Sequence, residues 1–145
     1  MLTQKIAHFI ANQDILSMPP TSSVADAAIR MAERHLGAVL VTDGDNLLGI
    51  FTERDLLEKV IARSRSPKDT ELGEVMSHDP TSVAPTDTML TAILTMKEQM
   101  SRHLLVRDRG RIIGIVSVRD VLRAVVVERT EDHQHLENLW EGFPV

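Results

Sequence analysis

Cysteine is absent from the 145 residues, which excludes disulfides, thiolate metal sites and cysteine nucleophiles, and leaves no sign of an oxidising compartment. Tyrosine is also absent, and aromatic residues make up only 3% of a chain whose formal net charge is −5. Non-specific nucleic-acid binding needs surplus cations and stacking platforms, so this composition is a poor one for that task. No apolar run approaches the roughly 18 residues of a membrane span. The opening Met1-Leu2-Thr3-Gln4-Lys5 lacks the basic and apolar regions of a signal peptide, so a cytoplasmic protein without a membrane segment is expected. Gly-x-Ser-x-Gly, phosphate-loop and His-Glu-x-x-His motifs are missing too, and the carboxylate clusters lack acid–base partners. No catalytic residue and no enzyme activity are therefore expected. His133-x-His135 has no third ligand at a recognisable spacing, so no metal site and no required cofactor are expected either.

What is present is an ordinary globular composition, with 43% apolar and 26% charged residues. The length suits one domain or two small units sharing a core. Charge is unevenly spread: residues 1–62 carry 5 basic and 8 acidic groups, residues 63–127 carry 10 and 8, and residues 128–145 carry 1 and 5. The middle segment, with Arg102, Arg107, Arg109, Arg111 and Arg119, either favours an anionic ligand or forms a solvated charged face.

The chain is a repeat. Shifted by 65 positions, residues 21–57 fall on 86–122 without a gap and with 12 identities in 37 positions. Gly49-Ile50-Phe51-Thr52-Glu53-Arg54-Asp55-Leu56-Leu57 lies on Gly114-Ile115-Val116-Ser117-Val118-Arg119-Asp120-Val121-Leu122. Each unit reads strand–helix–strand–strand–helix. Ile15 to Met18 before Pro19-Pro20, and Thr81 to Val83 before Ala84-Pro85, read as short first strands. Val24, Ala27, Ala28, Met31 and Ala32 have helical spacing behind Ser22 or Ser23, and Met89, Ala92, Ile93 and Met96 repeat it behind Thr86 and Asp87. Two apolar runs flank a Gly-Asp turn at 43–46 and a related turn at 108–111, which predicts a hairpin in each unit. A second helix opens at Thr52-x-x-Asp55 and at Ser117-x-x-Asp120, both with capping-box spacing. Short helices precede each unit, at 5–11 and 71–76, and the polar stretch at 63–70 reads as a linker.

These paired Gly-Ile-x-(Thr/Ser)-x-Arg-Asp segments, each after a helix and a hairpin, resemble a tandem pair of cystathionine-beta-synthase (CBS) domains, a Bateman module. The resemblance covers about 5–127, and no catalytic domain accompanies it, so the chain looks like the stand-alone type. It implies an α+β (α/β) fold of two repeated units packed sheet to sheet with pseudo-twofold symmetry. The expected division is a first unit at 5–62, a linker at 63–70, a second unit at 71–127 and a helical tail at 128–145. The implied function is non-enzymatic: an adenosine-containing ligand (AMP, ADP, ATP or S-adenosylmethionine) binds in clefts between the units and the module signals to a partner. The other reading is a dimeric scaffold whose clefts are empty or hold something else. Either way a homodimer is expected.

The chemistry of the residues is consistent with a nucleotide. A carboxylate can accept from both hydroxyls of a ribose, and Asp55 and Asp120 stand at helix starts beside Thr52 and Ser117, where free N–H groups favour a phosphate. From the residues alone, each Asp either does this or only caps its helix. The resemblance implies phosphate contacts from Arg54 and Arg119, and from Arg102 and His103, whose counterparts in the first unit are the uncharged Gly37 and Ala38. It implies that Arg102, His103 and Arg119 serve the Asp55 cleft and that Arg54 serves the Asp120 cleft. Adenine would rest against Leu16, Ser17 and Met18, or against Thr81, Ser82 and Val83, with Ile50 and Ile115 nearby or in the core. In the tail, Thr130 caps a last helix on which Leu136, Leu139 and Trp140 form an apolar stripe.

Overall fold

The structure, a computed structural model, describes residues 3–78 and 80–128. The tail helix expected beyond residue 128, with Thr130, Leu136, Leu139, Trp140 and the His133–His135 pair, lies outside the described residues.

Both repeats form the expected α+β unit around a three-stranded sheet. In the first, β1 (Ser17–Met18) is followed by α2 (Val24–Arg34), β2 (Ala38–Asp43) and β3 (Asn46–Thr52), after an initial helix α1 (Ala7–Ile10). A short α3 (Glu53–Asp55) runs directly into a π-helical segment, Leu56–Ile61, and α4 (Leu72–Val75) follows. The second repeat holds β4 (Ser82–Val83), α5 (Met89–Gln99), β5 (His103–Asp108), β6 (Arg111–Ser117) and α6 (Val118–Glu128). Sheet order is β1-β2-β3 and β4-β5-β6, with the short first strand parallel to the second and a tight antiparallel hairpin behind it. The hairpin registers correspond: Ala38 faces Thr52 as His103 faces Ser117, and both ladders shift register near the turn, after Val41 and after Val106. The turns differ chemically. Arg109 and Gly110 both have positive φ, as a type I′ turn demands, whereas Gly44 takes the one positive φ in the other hairpin.

The long helices form for local reasons. Ser23 and Thr88 accept the N–H groups of Asp26 and Thr91, and both helices end in a left-handed residue, His35 and Met100, at matching repeat positions. Leu36 N–H reaches Met31 O at 2.9 Å and Ser101 N–H reaches Met96 O at 3.0 Å, closing both ends with Schellman-type bonds.

By compactness the chain groups across its two repeats. One unit is residues 14–80; the other is 1–13 together with 81–145. Each short helix therefore belongs with the sheet of the other repeat. Leu72 and Val75 of α4 complete the core of Val24, Ala27, Met31, Val39, Val41, Phe51 and Val60. Ile6 and Ile10, at and beside α1, complete the core of Met89, Ala92, Met96, Leu104, Val106, Val116 and Val121. Backbone bonding explains the exchange. The first N–H groups of α2 have no partner within the helix, and those of Val24 and Ala25 donate to Thr70 O and Pro67 O, each at 2.9 Å. The stretch read as a linker is thus the cap of α2, and Thr70 is 97% buried with it, being only 3% exposed. In the other unit Met89 N–H donates to Gln4 O at 3.0 Å.

The sheet faces are also closed differently. Ser77 exchanges two backbone bonds with Ile50, of 3.0 and 2.8 Å, while the Gln13 side-chain amide takes both backbone groups of Ile115. The first arrangement brings backbone so close that a Cβ on Gly49 would lie 2.5 Å from Ser77 O, whereas one on Gly114 would meet side-chain atoms of Ile10 and Gln13. Gly49→Ala is expected to destabilise by about 1–3 kcal/mol, as overpacking does, and Gly114→Ala by less, read from urea denaturation midpoints.

Candidate functional site

Each sheet's last strand turns into a helix at one corner, and there Thr52 and Asp55, or Ser117 and Asp120, cap each other. Asp55 Oδ2 accepts Thr52 N–H at 3.0 Å and its hydroxyl at 3.2 Å, and Thr52 Oγ1 also lies 3.2 Å from the Asp55 N–H. Asp120 Oδ2 accepts Ser117 N–H at 2.8 Å and its hydroxyl at 2.9 Å, and Asp120 N–H approaches Ser117 Oγ at 3.3 Å. The capping-box spacing in the sequence is therefore realised with Asp in place of Glu.

Beyond that box the corners diverge. Asp55 is only 6% exposed. Its other oxygen, Oδ1, accepts the Ser77 hydroxyl at 3.0 Å and faces Lys59 Nζ at 3.0 Å. Lys59 has two further acceptors, Ser77 Oγ at 3.1 Å and Val75 O at 3.2 Å, so its three N–H groups are matched by three oxygens. Asp55 and Lys59 are an i,i+4 pair, neighbours on the helix surface, and the turn that carries Lys59 is π-helical. Its i→i+5 bonds, such as Ala62 N–H to Leu57 O at 2.9 Å, present Val60 to the core and leave Lys59 half-buried at its margin. In the regular helix α6 the matching position is Ala124, which is itself buried in the core. Asp120 is half-buried, and its Oδ1 has no partner among the described residues.

The surrounding charges differ in the same sense. Arg54 Nε donates to Glu58 at 2.9 Å, a bond that, followed by the Coulomb attraction of the pair, raises the guanidinium pKa. Both side chains are more than half exposed, so the pair adds little stability. At the matching place in α6 the acid is replaced by Arg123. Arg102, Arg119 and Arg123 are all exposed and have no ion-pair partner among the described residues. Arg102 lies in the same unit as Asp120, its carbonyl accepting Val118 N–H at 2.9 Å, and His103 stands opposite Ser117 in the β5–β6 register. The resemblance gave both to the Asp55 cleft; within their own unit they flank Ser117.

The residues expected around adenine divide by face. Leu16 and Met18 are buried in one core and Val83 in the other, while the alternating Ser17 and Ser82 are exposed and Thr81 is half-buried. Ile50 is buried and Ile115 half-buried. Among the described residues no group of three or more His, Asp or Glu side chains could hold a metal ion, and no helix is long and apolar enough to cross a membrane.

Two three-stranded units with paired strand-to-helix corners define a tandem CBS architecture, and known proteins agree. The CBS domain family matches residues 6–62 and again 72–127, so the chain belongs to that family. It is 39% identical over 126 residues to the mitochondrial CBS domain-containing protein CBSX3 of Arabidopsis thaliana, covering 83% of this chain and 61% of that protein. Among solved structures, a putative signal-transduction protein with CBS domains from Burkholderia ambifaria superposes with a TM-score of 0.83 at 33% identity, over 89% of this chain and 98% of that one. A CBS domain protein from Pyrobaculum aerophilum, solved in complex with AMP, superposes with a TM-score of 0.74 at 23% identity, over 86% and 97% of the two chains. At that identity the likeness is one of fold.

Lys59, Ser77 and Arg123 were not among the residues singled out from sequence. The signal was present for two of them: an i,i+4 acid–base pair after the motif in one repeat, and Arg-Ala in its place in the other. Ser77 is distant in sequence and needs the exchanged α4 to reach the corner. Lys59→Met would leave the buried Asp55 oxygen short of a donor and should cost about 1–3 kcal/mol in stability, measured by urea denaturation. Ala124→Met should show no such loss of a polar partner, and its effect should be confined to packing.

Proposed function

We propose that the chain is a non-enzymatic regulatory module that binds an adenosine-containing ligand, AMP, ADP, ATP or S-adenosylmethionine, and passes its occupancy to a partner protein. The observation that carries this reading is the Ser117–Asp120 corner. Asp120 offers an oxygen with room for two hydroxyl donors, as a ribose diol supplies. It does so at the start of an eleven-residue helix, among arginines that carry no carboxylate partner in the described residues. Helix N–H groups and unpaired guanidinium groups suit a phosphate. The AMP complex of the Pyrobaculum aerophilum protein gives the ligand class a precedent on this fold. Ser82, exposed on β4, and Thr81, half-buried beside it, belong to the same unit as Asp120 and are the groups proposed to border adenine.

Assembly as a homodimer belongs to the same reading. Ile29 and Leu94 occupy one matching pair of repeat positions and are each 57% exposed; Leu57 and Leu122 occupy another and are 62% and 47% exposed. Apolar side chains left out on the same helix faces in both repeats suit a self-complementary surface. Light scattering should therefore give twice the 16.2 kDa chain mass at micromolar concentration, and a monomer would remove this part of the reading.

Titration calorimetry with AMP, ADP, ATP and S-adenosylmethionine should find submillimolar binding of at least one without turnover; no heat from any of them with folded protein would overturn the proposal. Arg102→Ala should weaken AMP about ten- to a hundredfold, the worth of a charge-assisted bond, and leave adenosine nearly unchanged.

A further inference from the structure

We infer that Lys59 is a built-in latch that closes the first repeat's corner, so that the chain takes one nucleotide, at Asp120, rather than two. The inference rests on the adenosine-ligand reading and fixes its stoichiometry. An ionised carboxylate has about four acceptor positions, two on each oxygen. At Asp55 all four are taken: Thr52 N–H and Oγ–H on Oδ2, Ser77 Oγ–H and Lys59 Nζ–H on Oδ1. No position remains for a ribose hydroxyl. At Asp120 the same two capping donors serve Oδ2, and Oδ1 has none among the described residues.

Breaking the first corner open would mean more than turning one side chain. Lys59 is also bonded to Val75 O and Ser77 Oγ, and Ser77 is held by its two backbone bonds to Ile50. A diol arriving at Asp55 would have to displace an ammonium and a hydroxyl that are already matched to one another. The charges add to the effect. The cations nearest Asp55 in sequence, Arg54 and Lys59, each face a carboxylate, so a phosphate gains little there. The aligned replacements Glu58 to Arg123 and Gly37 to Arg102 move the second corner toward an anion site, while Lys59 to Ala124 removes the ammonium that occupies the first. Asp55 and Lys59 stand at i and i+4, neighbours on the helix surface, and the turn that carries Lys59 is π-helical, a feature found only in the first repeat among the described residues.

Equilibrium dialysis with AMP decides the matter. The unaltered protein should bind one AMP per chain, Asp120→Asn should abolish that binding, and Asp55→Asn should leave it unchanged within twofold. Lys59→Ala combined with Ser77→Ala should raise the count to two. Two AMP per chain in the unaltered protein, or loss of binding in Asp55→Asn with retention in Asp120→Asn, would overturn the latch while leaving the ligand reading intact. No binding of AMP, ADP, ATP or S-adenosylmethionine to the unaltered protein would instead overturn the ligand reading. The latch then stands or falls on thermal midpoints: Lys59→Ala and Asp55→Asn together should shift the midpoint by less than the sum of the single changes, and strict additivity would refute it. The Asn variants keep the side-chain shape at each corner, so the comparison between them holds even where the double replacement at 59 and 77 fails to fold.

Discussion

A carboxylate taken out of water must be met by as many donors as it can accept, and this requirement shapes both ends of the molecule's repeated motif. Where the strand turns into the helix, the acid in the third helical position caps the strand residue and is capped by it. That reciprocal pair satisfies one oxygen of each Asp and anchors the helix to its sheet. The second oxygen is where the repeats part. One finds a lysine and a serine from its own unit, and the other is left to solvent or to whatever binds.

The same accounting explains the exchange of short helices. A three-stranded sheet with one long helix leaves apolar side chains at the end of its core, and the long helix begins with N–H groups that need acceptors. A segment of the other repeat supplies both the apolar cover, from Leu72 and Val75 or Ile6 and Ile10, and the carbonyls. Nothing in the polar composition of residues 63–70 announces this role, because a capping carbonyl is a backbone group and leaves no trace in side-chain pattern.

The duplication, the order of elements, the hairpins and both capping boxes were legible in the sequence, since each rests on local spacing or on comparison of the chain with itself. The second helix of the first repeat was legible as a helix but not as a π-helix, because widening by one residue per turn reflects how Val60 and Lys59 are seated, a tertiary matter. Asp55 and Asp120 were legible as candidates and indistinguishable as to availability. The difference lies in Ser77, brought to the corner by a segment 22 positions away, and in an ammonium whose three acceptors include the backbone of Val75. Arg102 and His103 were visible as an asymmetry; their neighbours Ser117 and Val118 come from the hairpin register.

The interleaving of the chain also sets an order of assembly during synthesis. The unit at 14–80 holds everything it needs once residue 80 has left the ribosome, and its contacts close over short stretches of chain. The other unit must wait for its last helix, while Ile6 and Ile10, made before the 14–80 unit, stay without their core until Leu104, Val106 and Val116 have been made. Its nucleus pays the larger loop-closure entropy, and a finished domain already sits inside the loop. Residues that precede the 14–80 unit are thus buried after it, and during that interval Ile6 and Ile10 are open to chaperones or to a second nascent chain.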